Sequence, residues 1–171
     1  YGQGAIAGAI NIVTKNPTND FEGFAKASYG VANSYRLAGA VSGPIIADTL
    51  FFRVSGFHRG TDGLIKNQRG QRIDGGNSTS LRGQLNLDTG PFTAKLRGSW
   101  TKGDGGCCIQ DIAPRNATGT LIDLDDVTNP GANSDILGRE NTRFRDASLR
   151  MDYDTGPVTL TSITGWADVR Q

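Results

Sequence analysis

The sequence has no long hydrophobic run. None of its 171 residues fall in a window of about 18 consecutive apolar positions, and the mean hydropathy is -0.37, so no transmembrane helix is expected. That leaves transmembrane strands open, because apolar and polar residues alternate along them and average to a mildly polar composition. Histidine and methionine are scarce, at one each, and neither sign of charge is in surplus, with 18 basic residues against 17 acidic ones. With His58 alone, no Gly-x-Ser-x-Gly elbow and no paired acids in a recognisable frame, the residues give no support to an enzyme. Balanced charge implies no strongly electrostatic partner, and no basic cluster interleaves with aromatics as a nucleic-acid surface requires. Tyr1 follows no initiator methionine, basic n-region or apolar h-region, so the chain is expected to be a fragment of a longer protein.

Glycine is plentiful, at 24 residues, and period-two alternation is the dominant pattern. In Ser78–Thr89, Leu81, Gly83, Leu85 and Leu87 point one way, and Ser80, Arg82, Gln84, Asn86 and Asp88 the other. In Phe92–Thr101, Phe92, Ala94, Leu96, Gly98 and Trp100 share a face opposite Thr93, Lys95, Arg97, Ser99 and Thr101. Such alternation predicts strands with one apolar and one wet face. The tetrapeptide Asp88-Thr89-Gly90-Pro91 joins these two segments, and Asp154-Thr155-Gly156-Pro157 repeats it further on. Glycine supplies positive φ and proline cannot donate to a ladder, so both tetrapeptides read as tight turns. Ser42–Thr49 reads as a third connection on the same side.

The fold class expected is all-β: an antiparallel array of seven strands near 21–31, 35–43, 49–60, 77–88, 92–102, 143–154 and 158–170. A short strand over Ala9–Lys15 and a linker over Asn16–Asp20 precede them. Connections opposite the tight turns are Ala32–Ser34, Thr61–Gly76 and Gly103–Thr142, the last far longer than the usual loop of about 4–6 residues. Strands of roughly ten residues suit a tilted membrane crossing, and short turns opposite long loops are the pattern of outer-membrane barrels. Tyr29, Trp100, Tyr153 and Trp166 fall near strand ends, where aromatic girdles sit. Phe51 and Phe57 share a face with Arg53 and Arg59, which breaks the alternation of the third strand.

Several motifs carry less than they first suggest. Gly2, Gly4 and Gly8 superficially match a dinucleotide-binding pattern, but no strand precedes them and the β-branched run that follows is a poor helix. Cys107 and Cys108 lie in the longest loop. Neighbouring cysteines bridge only through a strained ring, so a pairing with each other, a pairing with residues elsewhere and a free reactive pair all stay open. They lack the further ligands a metal site needs, so no metal and no cofactor are expected. Asp123, Asp125, Asp126, Asn129, Asn133 and Asp135 make the same loop oxygen-rich, without the ligand order of an EF-hand.

The segment Gly8-Ala9-Ile10-Asn11-Ile12-Val13-Thr14-Lys15 closely resembles the end of the plug domain of TonB-dependent outer-membrane receptors. Phe21-Glu22-Gly23 with Ser28-Tyr29-Gly30 resembles the first barrel strand of that family. Tyr35-Arg36-Leu37 with Gly39-Ala40-Val41-Ser42-Gly43-Pro44 resembles the second, and Leu50 with Arg53-Val54-Ser55-Gly56 the third. Gly60, Gly63, Ile65 and Asn67 resemble the loop that follows. The likeness is specific over residues 1–89 and architectural beyond them.

The resemblance implies a plug end and linker over 1–20 and the N-terminal part of a barrel of about 22 strands over 21–171. It further implies energised uptake of a scarce ligand, such as a ferric siderophore, through the bacterial outer membrane, with no catalysis. The partners implied are outer-membrane lipid, the TonB complex acting through a TonB box that this chain lacks, and a small-molecule ligand; nucleic acid is not among them. The complete barrel would be a monomer. On such a wall Arg53, Arg82, Lys95, Arg97 and Arg150 would face the lumen as candidate ligand contacts. A plug-less porin and a surface adhesin are the alternative readings. Seven strands cannot close a barrel, and open edges do not survive in lipid, so the chain alone is expected neither to transport nor to insert stably.

Overall fold

Period-two patterning yields a single antiparallel meander. The structure is a computed structural model and describes residues 14–65, 70–106 and 138–171, among which there is no helix. The strands are β1 (Glu22–Gly30), β2 (Ser34–Ile46), β3 (Leu50–Thr61), β4 (Gly76–Asp88), β5 (Phe92–Gly106), β6 (Arg139–Asp154) and β7 (Thr159–Arg170). They form one seven-stranded sheet in sequence order, as the alternation predicts. The expected Ala9–Lys15 strand lies almost wholly outside the described residues, as do Cys107, Cys108 and the oxygen-rich stretch 123–135.

Register assigns every side chain to a face, because directly paired residues share a side and a one-residue slip would exchange the two. One rung joins Glu22, Ser42, Arg53, Gln84, Arg97, Ser148 and Gly165. Its neighbour, on the opposite face, joins Gly23, Val41, Val54, Gly83, Gly98, Ala147 and Trp166. The first face is mainly polar, with Phe24, Phe51, Phe57, Phe144, Ile163 and Val169 as apolar exceptions. The second is apolar: the rung Phe52, Leu85, Leu96 and Leu149 is followed by Leu50, Leu87, Ala94 and Met151. Nothing among the described residues covers it, and Leu81, Leu85, Leu96 and Trp166 are 54, 39, 46 and 58% exposed.

The most enclosed side chains are therefore polar. Ser42 and Gln84 are 0 and 5% exposed, and both lie on the polar face under residues 14–20. Tyr29, Trp100, Tyr153 and Trp166, expected near strand ends, all fall on the apolar face by register. Phe21 joins them, lying over Gly43 and packing edge-on against Phe52 at 6.3 Å.

The two Asp-Thr-Gly-Pro turns have the same geometry. In the first, the Thr89 amide donates to Phe92 O at 3.0 Å, the Gly90 amide to Asp88 Oδ1 at 3.0 Å, and Gly90 takes φ +86°. In the second, the Thr155 amide donates to Val158 O at 3.0 Å, the Gly156 amide to Asp154 Oδ1 at 2.8 Å, and Gly156 takes φ +93°. The aspartate thus closes the turn and the glycine occupies a left-handed position that other residues reach only with strain. At the opposite end, Ala32 and Asn33 take φ +54° and +51° while the Ser34 amide donates to Val31 O at 3.0 Å. Both central residues lie at positive φ, the type I′ arrangement that matches strand twist.

Strand ends depart from the sequence expectation in two places. β2 continues to Ile46 instead of stopping near 43, so the third tight connection shrinks to Ala47–Thr49. It does so by a register irregularity between Pro44 and Ile46, since proline has no N–H for the ladder. β5 and β6 each run four residues further than expected, pairing Gly103 with Thr142 through to Gly106 with Arg139. Glycine has low strand propensity, but backbone pairing holds it here, and residues 73–75 pack over the extension. A Cβ on Gly106 would collide with Ile73 O, and the Gly106 amide donates to Gly75 O at 2.8 Å.

Candidate functional site on the polar face

Residues 14–20 are tied along the polar face by side chains from four strands. The Thr18 amide donates to Ser42 Oγ at 3.3 Å, and that hydroxyl donates to Phe52 O at 3.1 Å. Asn16 Oδ1 accepts from Gln84 Nε2 at 3.1 Å and Arg97 Nη2 at 3.3 Å. Glu22 bridges Lys15 at 2.7 Å and Arg53 at 3.2 Å. At the turn end, Asn19 Nδ2 donates to Asp48 Oδ1 and Asn19 Oδ1 accepts from the Asp48 amide at 3.1 Å. These contacts join residues up to 81 positions apart in sequence.

The five cations expected to face the lumen all stand on this polar face by register, but in different states. Arg53 is held by Glu22, with only 14% of its side chain exposed. Arg97 bonds Asn16, and its buried Nε has no hydrogen-bond partner among the described residues. Arg150 forks onto Asp152 at 2.8 and 3.0 Å, with Thr161 also donating to that carboxylate at 2.6 Å. Arg82 is exposed and, like Lys95, forms no ion pair among the described residues. The structure thus engages Arg53 and Arg97 with residues 14–22.

A second group of polar-face residues lies outside those five candidates. Arg36 and Arg59 are direct register partners and flank the Phe57 ring, with guanidinium carbons 5.2 and 5.9 Å from its centroid. Phe57 therefore interleaves two cations, which accounts for the irregular alternation of β3. Both arginines line a cavity of about 590 Å³ at the loop end, with Tyr35, Asp74, Asn77 and Asp104. That volume suits a small molecule. The signals available in sequence were the shared face of Phe57 and Arg59 and the position of Arg36 and Arg59 near the loop-side strand ends.

Asp74 shapes one wall of this cavity. Burial opposes its ionisation. The amides of Leu64 and Ile65, donating to its two oxygens at 2.9 and 2.8 Å, together with Arg72, outweigh that and hold its pKa below 3.8. A lowered folded-state pKa means that this anchoring is full above 3.8 and is lost as pH falls through the folded value. Asp74→Asn is expected to speed hydrogen exchange at Leu64 and Ile65 on the order of tenfold at neutral pH, as exchange-detected NMR would read.

An antiparallel sheet with one bare apolar face, one polar face carrying a bound chain segment, and tight turns at one end fits a segment of an outer-membrane β-barrel wall. Among curated proteins, the chain is similar to "Probable TonB-dependent siderophore receptor PirA" of Acinetobacter baumannii, 28% identical over 159 residues. The match covers 86% of this chain and 20% of the relative, so the chain spans about a fifth of the length of the protein it matches. The similarity is to a receptor, not to an enzyme. No family model matches the chain, and no solved structure matches it significantly.

Proposed function

We propose that the chain is a segment of a TonB-dependent outer-membrane receptor, with residues 1–20 ending and linking a plug and residues 21–171 forming consecutive wall strands. The observation that carries this reading is the attachment of residues 14–20 to the polar face by Asn16, Thr18 and Lys15, opposite a bare apolar face. The apolar belt between Phe92 and Trp100 measures about 27 Å along β5, or about 20 Å across a bilayer at the usual tilt. Its aromatic rims are Phe92 and Tyr153 on the turn side and Trp100 and Trp166 towards the loops. A passive porin holds no plug segment on its inner wall, and an adhesin would cover both faces.

The cargo is an anionic small molecule of the ferric-siderophore class, in line with the relative's name and with the inward cations Arg36, Arg59, Arg82 and Lys95. In this reading uptake runs on energy relayed by the TonB complex, and the protein discriminates gated states by differential binding rather than by catalysis. The test is iron uptake by cells that depend on the full-length gene under iron limitation. Loss on deletion, restoration by the gene and dependence on TonB are expected. Uptake of small solutes that persists without TonB would overturn the proposal in favour of a porin.

A further inference from the structure

Lys102, Arg143 and Arg170 are consecutive register partners on β5, β6 and β7, and all three project from the apolar face. Like charges directly opposite on adjacent strands repel. Neighbouring strands lie about 4.8 Å apart, so the three charges fall within about 10 Å of one another. Arg145 adds a fourth cation one rung towards the turns, beside Trp100. Two acids share this face: Asp168, which pairs with Arg170 at 3.1 Å and is the register partner of Arg145, and Asp104, which pairs with Arg139 at 3.4 Å; Lys102 and Arg143 form no ion pair among the described residues. The cluster sits two residues beyond Trp100, about 7 Å up the strand, at the loop-side rim of the belt. The turn-side rim, at Phe92, Tyr153 and Leu160, presents no cation on this face among the described residues.

We infer that Lys102, Arg143 and Arg170, with Arg145 below them, form a docking site for the phosphate-bearing headgroup of an anionic lipid in the loop-side leaflet. The site faces acyl chains below and water above, which is where a lipid phosphate stands. Guanidinium and ammonium groups held side by side on rigid strands offer several charge-assisted donors to one phosphate. The one-sided placement makes the protein selective for a bilayer whose anionic lipid is concentrated in that leaflet. This rests on the proposed reading that the Trp100 and Trp166 face meets lipid.

The test uses the full-length receptor, refolded into phosphatidylcholine vesicles with and without lipid A, and native mass spectrometry of the lipid retained after detergent extraction. At about a factor of five per cation, Arg143→Gln should retain lipid A about fivefold less, and Lys102→Gln, Arg143→Gln and Arg170→Gln together about a hundredfold less. Arg143→Lys should keep most of it, and Lys26→Gln on the polar face should leave lipid A retention unchanged. Inorganic phosphate at millimolar concentration should not compete. Equal retention by the triple variant, or by Arg143→Gln where the triple variant does not fold, would overturn the inference, as would displacement by inorganic phosphate. Failure to insert into phosphatidylcholine at all counts against the outer-membrane reading. Insertion with no preference for lipid A counts against the lipid site alone.

Discussion

Leu149→Arg is expected to destabilise the bilayer-inserted protein by about 2–4 kcal/mol, the cost of a cation at the midplane of a lipid-facing wall. Leu149 sits on the central apolar rung with Phe52, Leu85 and Leu96. Belt residues extend on both sides of that rung, from Phe92 below to Trp100 above, so an arginine there cannot reach either interface without distorting the wall. Ser148 is its chain neighbour and points the other way, in register with Arg97. Ser148→Glu places a charge in lumen water beside a cation and is expected to change stability by less than about 0.5 kcal/mol. Urea midpoints in bilayers, with unchanged m-values, would read the difference. A pair of variants one residue apart with costs so unlike is a direct consequence of period-two alternation.

Ser42→Leu is expected to cost about 3 kcal/mol and to release residues 14–20 from the wall. The hydroxyl is fully enclosed and serves two backbone groups, accepting from Thr18 N–H and donating to Phe52 O. Leucine removes both bonds, strands the Thr18 amide and overfills the space, each an effect of about 1–3 kcal/mol. Ser42→Ala removes the bonds without the bulk and should cost about 1 kcal/mol. Limited proteolysis should cleave near Asn16–Asp20 in the leucine variant and spare the alanine variant. Energised uptake should fall with the first and persist with the second, since only the first dislodges the segment.

The architecture was legible wherever side-chain alternation is strict. Ser78–Asp88 and Phe92–Thr101 announce both their strand character and their faces, and the repeated Asp-Thr-Gly-Pro marks two turns whose geometry proves the same. Strand ends were less legible where backbone pairing overrides local preference. Gly103–Gly106 reads as loop, yet β6 and residues 73–75 hold it in the ladder. Pro44 reads as a stop, yet a register irregularity carries β2 past it.

The candidate site was legible in part. Register places Arg53, Arg82, Lys95, Arg97 and Arg150 on one face, as alternation implies. Which of them are tied down depends on contacts across dozens of residues, such as Asn16 with Arg97, and no local pattern encodes those. The pairing of Arg36 with Arg59 about Phe57, and the outward row of Lys102, Arg143 and Arg170, likewise exist only once strand register is known.

Cysteine scanning along β5 in the full-length protein, with Cys107 and Cys108 replaced, tests the two-faced wall most directly. Single cysteines at residues 94–99 would be challenged in bilayers with a membrane-impermeant maleimide admitted to the lumen. The structure predicts strict alternation: positions 95, 97 and 99 labelled, and positions 94, 96 and 98 protected by lipid. Uniform labelling, or protection of the Lys95, Arg97 and Ser99 set instead, would contradict it.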